Sequence, residues 1–215
     1  MKRIGIFSIG IAALLLGACD VVGIRGNGHV VTDVRQVGEF DEIDASGGMR
    51  IEWQSGPPSL RITTDENLLP YIDNRIADHT LRLHSRKPLR PTHHLSVVIT
   101  SPHLHGVDLS GAVDLNARGI SGPKFYIRAS GASDVTLDGN ADEFLADLTG
   151  ASDLRAQGLQ TKSVEMSTTG AASAKISVSE TLRVHITGAG DVTYYGNPKT
   201  IEKHVTGAGS IHHKD

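Results

Sequence analysis

Cysteine is nearly absent: Cys19 is the only one in 215 residues. A lone thiol has no disulfide partner, so whatever fold the chain adopts is held without covalent staples. Aromatic side chains are scarce at 4 %, with one tryptophan, while glycine occurs 24 times. That balance excludes a core built on large rings and points to thin layers, tight turns and stacked small side chains. Long apolar runs are absent except from Ile4 to Leu16, which is shorter than the about 20 residues a membrane-spanning helix requires. An excess of positive charge is missing too. With 21 Lys and Arg against 24 Asp and Glu, the formal net charge is -3, which does not favour nucleic acid or an anionic membrane surface as partner. No nucleophile with a base, no phosphate-cradling loop and no paired carboxylates stand at recognisable spacing, so the sequence reads as that of a non-enzyme with no cofactor.

What stands at the N-terminus is a three-part signal. Lys2 and Arg3 precede the apolar stretch and Leu16-Gly17-Ala18-Cys19 follows it, the order of a secretory signal peptide with small residues before the cut. Those four residues resemble the lipobox of bacterial lipoproteins, which implies cleavage between Ala18 and Cys19 and acyl chains on Cys19. Two or more acyl chains anchor stably where one is marginal, each buried methylene contributing about 0.8 kcal/mol. The membrane is therefore an expected partner, through Cys19. The expected place is the bacterial envelope, facing the periplasm, with inner and outer membrane both open. Asp20 resembles the residue that retains such proteins in the inner membrane of enteric-type bacteria.

From residue 106 onward one phrase returns six times: Ser110-Gly111-Ala112, Ser130-Gly131-Ala132, Thr149-Gly150-Ala151, Thr169-Gly170-Ala171, Thr187-Gly188-Ala189 and Thr206-Gly207-Ala208. The spacings are 20, 19, 20, 18 and 19, and a fixed period of this length marks an architecture in which each unit buries its apolar face only against its neighbours. Within each unit apolar and polar residues alternate, as in Phe144, Ala146 and Leu148 with Asp147 between the last two. That is the pattern of a half-buried strand. The alternation resumes after the phrase, at Val135 and Leu137 for example, and nine residues past the Ser or Thr another glycine follows at Gly119, Gly139, Gly158 and Gly196, with Val178 the exception. Glycines at Gly111, Gly131, Gly150, Gly170, Gly188 and Gly207 are the expected turns.

Strand, turn, strand, turn, repeated at constant length, predicts an all-β fold: a parallel β-helix or β-solenoid with coils of about 19 residues. Right-handedness follows from the general rule for parallel crossovers. An antiparallel sandwich of hairpins would not need the same turn chemistry in every unit. The expected organisation is a signal peptide at 1–18, a lipidated N-terminus and linker at 19–25, a β-rich region at 26–105 that lacks the repeat and caps the solenoid, and the solenoid repeats at 106–215. Within the cap, Asp65 to Ile72 reads as one short helix or turn between strands.

Several short motifs run through the mature chain in a fixed order: Gly26-Asn27-Gly28, Val37 to Ile43, Asn67-Leu68-Leu69, Leu81-Arg82-Leu83, Ser101-Pro102-His103-Leu104 and the Ser/Thr-Gly-Ala repeats. In that order they resemble the head GIN domain of auto-transporter adhesins. The resemblance implies adhesion at a surface and offers no catalytic residue.

Four residues after each Ser or Thr stand Asp114, Asp134, Asp153 and Asp191, with Ala174 and Ser210 interrupting the row. Stacked carboxylates repel, so this column reads either as a binding face, with calcium one candidate to offset the charge, or as aspartates bonded to turn amides. Eleven histidines include His93-His94, His103, His105 and His212-His213, but none forms a helical pair with an acidic partner, so no metal site is assigned. His185 and His204 share an outward column, as do Asp108, Arg128 and Asp147. The functional expectation is a non-enzymatic, lipid-anchored solenoid that offers a polar face to a glycan, an envelope protein or another copy of itself. The alternatives are a lyase-like polysaccharide-modifying enzyme and a self-assembling structural protein, the latter because the last coil lacks an obvious cap.

Overall fold

The computed structural model describes residues 23–215, so the signal peptide at 1–18 and Cys19 lie outside the described residues. Of the described residues 73 % are strand and 3 % helix, and the six Ser/Thr-Gly-Ala phrases delimit a β-solenoid of about five turns. Three long strands open it: β9 (Gly106–Gly131), β10 (Asp134–Gly150) and β11 (Asp153–Gly170). The later turns divide into β12 (Ser173–Ser177), β13 (Thr181–Gly188), β14 (Asp191–Tyr195), β15 (Thr200–Gly207) and β16 (Ser210–Lys214). All stack in parallel with equivalent residues aligned, as in Leu148 against Ala129 on one side and Thr168 on the other. Inward columns are fully buried; Phe125, Phe144, Leu148, Leu182 and Ile186 are each at most 1 % exposed. Such burial contributes about 1.5–3 kcal/mol per large side chain, and Phe125 stacks on Phe144 at 6.0 Å inside the solenoid.

Each corner needs a glycine for two reasons. Gly131 and Gly150 have φ of +109° and +103°, which L side chains rarely adopt, and a Cβ on either would lie 2.4 or 2.5 Å from the carbonyl oxygen of the corner glycine one turn earlier. The amide that follows each of these glycines donates to that same carbonyl, Ala132 to Gly111 at 2.9 Å and Ala151 to Gly131 at 2.8 Å. Bare backbone stacks on bare backbone, and the coil spacing follows from that hydrogen bond.

The division at residue 105 does not separate a cap from a solenoid. Strand β3 (Glu42–Ser55) lies parallel to the first part of β9 in unbroken register from Glu42 against Gly106 to Gln54 against Arg118, with Ser46-Gly47-Gly48 beside Ser110-Gly111-Ala112. It is a rung of the solenoid, unread in the sequence because its phrase ends in glycine and no second copy follows for more than 60 residues. On the other side of β3 lie β6 (Thr80–Ser85) and β8 (Ser96–Ser101), both parallel to it. Here a loop replaces the corner phrase. From its place at the end of the stack β2 (Val30–Arg35) thus leads in to β3, and the chain then moves out to that end again before returning past β3 to β9.

The end itself is antiparallel: β4 (Ser59–Asp65) on β8, β2 (Val30–Arg35) on β4, and β5 (Ile72–Ala77) on β6. The turn read at 65–72 is a 3₁₀ helix over Glu66–Tyr71. β1 (Ile24–Arg25) pairs with β7 (Leu89–Arg90). Buried Asp65 ties this region together, accepting hydrogen bonds from the Gly28 amide at 2.7 Å and from the Thr92 amide and hydroxyl at 2.8 and 2.7 Å. Gly26 leaves the room its carboxylate fills. The lone Trp53 is buried beneath β8, its indole donating to Ser101 Oγ at 2.9 Å.

At the opposite end, β15 is exposed along its length. Its inward positions are Ile201, Lys203 and Val205, with Ile201 and Val205 43 % and 40 % exposed. Lys203 Nζ sits 4.7 Å over the Tyr194 ring, and His213 stacks on the same ring at 4.8 Å. The last coil is therefore closed by two cationic or titratable side chains turned inward, where the sequence had shown no cap.

Candidate functional site

The aspartate column lies on the second arm of each turn. Asp134 stands between Asp114 and Asp153, and the row continues through Ser173, Asp191 and Ser210. Ser173, not Ala174, is the interruption; Ala174 points inward and is 2 % exposed. Each carboxylate has a partner. Arg50, one rung earlier, lies 3.4 Å from Asp114. Arg155 reaches Asp134 at 3.4 Å and also contacts Asp153, while the Ser210 hydroxyl donates to Asp191. Arginine and serine side chains therefore offset the repulsion, where the sequence reading had offered calcium or turn amides. Among the described residues no group of three or more His, Cys, Asp or Glu is placed to hold a metal ion.

A second row runs along the first arm: Arg82, Asp44 and Asp108 in register, then Arg128, Asp147, Ser167, His185 and His204. Arg128 lies 3.5 Å from Asp108 and Arg82 lies 4.0 Å from Asp44. Burial pushes the Asp108 carboxyl above the usual aspartate range; Arg128 opposes this, and the neighbouring Asp44 adds to it. Burial, with a hydrogen bond to Glu42, also raises the pKa of Tyr126. The Tyr126 ring covers Gly106, where a Cβ would meet it at 1.9 Å, and carries Arg128 5.2 Å above it. Asp44, Asp108, Arg128 and Asp147 line a hollow of about 300 Å³. His185 and His204 stack with ring centroids 4.8 Å apart. Among the other histidines, His103 and His105 stack with ring centroids 6.2 Å apart, His105 also pairs with Asp41 at 3.2 Å, and His93 contacts Thr92.

The sequence reading ended each turn at its second glycine and so missed a third, short face. Residues 120–122, 139–141 and 159–161 stack in parallel there, with Asn140 aligned between Ser121 and Gln160. The signal was present in the polar residue that follows within two positions of each second glycine, Ser121 after Gly119, Asn140 after Gly139 and Gln160 after Gly158. This face carries a trough of about 500 Å³ that extends to Ser179 and Tyr195.

Among the described residues no helix is long and apolar enough to cross a membrane. Residues 39–198 match the family described as "Putative auto-transporter adhesin, head GIN domain". The crystal structure of "a putative adhesin" from Bacteroides fragilis NCTC 9343 is 23 % identical, covers 89 % of this chain and 100 % of that one, and superposes with a TM-score of 0.75. That of a "Putative lipid binding protein" from Parabacteroides distasonis ATCC 8503 is 20 % identical over 90 % of this chain and 100 % of that one, with a TM-score of 0.59. That of "a putative adhesin" from Parabacteroides merdae ATCC 43184 is 22 % identical over 90 % and 99 %, with a TM-score of 0.55. These likenesses show a shared fold. No curated protein matches the chain.

Proposed function

Since the chain belongs to the head GIN domain family of auto-transporter adhesins, we propose that it is a non-enzymatic adhesin of the bacterial envelope, held to its membrane by acyl chains on Cys19. One observation carries this reading: a continuous parallel stack from β8 to β16, its register shifted only near residues 136–139 in the pairings around β10, holds polar side chains in outward rows at a rise of about 4.8 Å. A rigid array of this kind suits repeated weak contacts to an extended partner, a glycan or an envelope protein, because little side-chain or backbone freedom is lost on binding. Anchoring through two or more acyl chains would keep the array at the cell surface or in the periplasm.

Fractionation of cells making the full chain, with metabolic acyl labelling, tests the anchor. Labelled protein in the membrane fraction is expected, and its loss in Cys19→Ala; equal partition of both forms would refute lipidation. Attachment of those cells to glycan arrays and to envelope preparations tests adhesion, and attachment no greater than that of cells lacking the protein would end the adhesin reading. A polysaccharide-modifying enzyme is the second reading, favoured by Asp108 and Asp44 beside Arg128 in one hollow. Appearance of reducing ends or unsaturated product on incubation with polysaccharide would establish it.

A further inference from the structure

The trough on the third face combines several features that bear on a ligand. Its volume of about 500 Å³ falls within the range of small-ligand sites, about 300–1,000 Å³, yet it is open along its length. Ser121, Asn140 and Gln160 project from three successive rungs and are exposed. The Ser121 hydroxyl, the Asn140 carboxamide and the Tyr195 hydroxyl have no hydrogen-bond partner among the described residues. Gln160 makes only a long bond of 3.4 Å to the Gln157 carbonyl. The only charged residues lining the trough are Asp142 and Lys162, and they neutralise each other at 2.8 Å. Their hydrogen bond also holds Lys162 above the usual lysine pKa.

These features select a class of ligand. A polyanion would find no net positive charge to receive it. A purely apolar ligand would leave planar amides unpaired, which costs about 1–3 kcal/mol for each group desolvated. A ligand with many neutral donors and acceptors, and with a repeat along one axis, matches amides and hydroxyls set on successive rungs. We propose that the trough binds an uncharged oligosaccharide laid along the solenoid axis, its hydroxyls paired with Ser121, Asn140 and Gln160 and one sugar face resting on the Tyr195 ring. The proposal rests on the adhesin reading and assigns that reading a site and a ligand chemistry.

The test is calorimetric titration of the purified full chain in detergent with cello- and chito-oligosaccharides, and with heparin fragments and oligogalacturonates as polyanions. Binding of a neutral oligosaccharide is expected, about tenfold weaker in the double variant Asn140→Ala with Gln160→Ala. Tyr195→Phe should bind as the parent does and Tyr195→Ala more weakly. An unchanged melting temperature in each variant shows that the fold is kept. Equal affinity in parent and double variant, preference for polyanions, or no binding of either neutral series would overturn the proposal. Cells displaying the double variant separate the two readings: attachment to glycan arrays that survives the substitutions leaves the adhesin reading standing without this site.

Discussion

Asp65 and Asp108 are carboxylates held in opposite senses by their surroundings. Burial raises the Asp65 pKa, but the bonds from Thr92 and Gly28 outweigh it and hold the carboxyl below its ordinary value. Its contribution is present above the usual aspartate range and is lost as pH falls through the lowered pKa. Asp65→Asn should therefore melt lower than the parent at pH near 7, with the gap closing in acid. Asp108 has the reverse sign: its raised pKa means that ionisation opposes folding, so stability from this site is present in acid and lost as pH rises. Asp108→Asn should melt at or above the parent near neutral pH and converge with it in acid; melting curves across pH that moved both variants the same way would refute this account. Gly150 combines a φ of +103° with a Cβ position 2.5 Å from the Gly131 carbonyl. Gly150→Ala should cost at least the about 1–3 kcal/mol of an unfavourable backbone, measured by denaturant unfolding, whereas Ala151→Ser, one residue on and exposed, should change stability little.

The last rung illustrates what an element does with an unpaired edge. Strand β15 offers a free backbone edge and two half-exposed apolar side chains, the combination that invites pairing with another chain. Lys203 stands where the preceding turn places Val184, so a charge occupies an inward position that would otherwise complete an apolar end. Lys203→Leu should drive concentration-dependent association, seen as dimers or larger species by sedimentation, while the parent remains smaller; a variant that sediments as the parent does would show that the lysine plays no such part. The elements also show what the sequence discloses. Six nearly identical phrases made the rungs from β9 onward legible, because each repeats one corner whose backbone tolerates only glycine. Strand β3 was illegible: Ser46-Gly47-Gly48 is a single altered copy, and its neighbours β6 and β8 are joined by a loop instead of a corner. The aspartate row was legible as a row, but its meaning depended on Arg50 and Arg155, which reach it from positions outside the phrase. The third face was missed because its strands are three residues long and sit directly on a turn signal.

At the scale of the whole molecule, the order of rungs differs from the order of the chain. Strand β3 is flanked by β6 and β8 on one side and β9 on the other, all of which come later in sequence. A chain ending at Ser101 would leave Ile43, Ala45, Ile51 and Trp53 without the β9 residues that cover them. It should lack a cooperative thermal transition and be digested readily by protease, whereas a chain ending at Gly150 should retain both the transition and the resistance. A cooperative melt of the shorter chain would show that the first rungs are self-sufficient. Synthesis delivers the N-terminus first, so the nascent chain holds β3 with the edge that β9 takes open until about fifty residues more have been made. For that interval the strand is a waiting template, and a strand from a neighbouring nascent chain is as good a partner as its own β9. This first-made inner rung is thus the one for which speed of arrival, and shelter until then, decides between a monomer and a tangle.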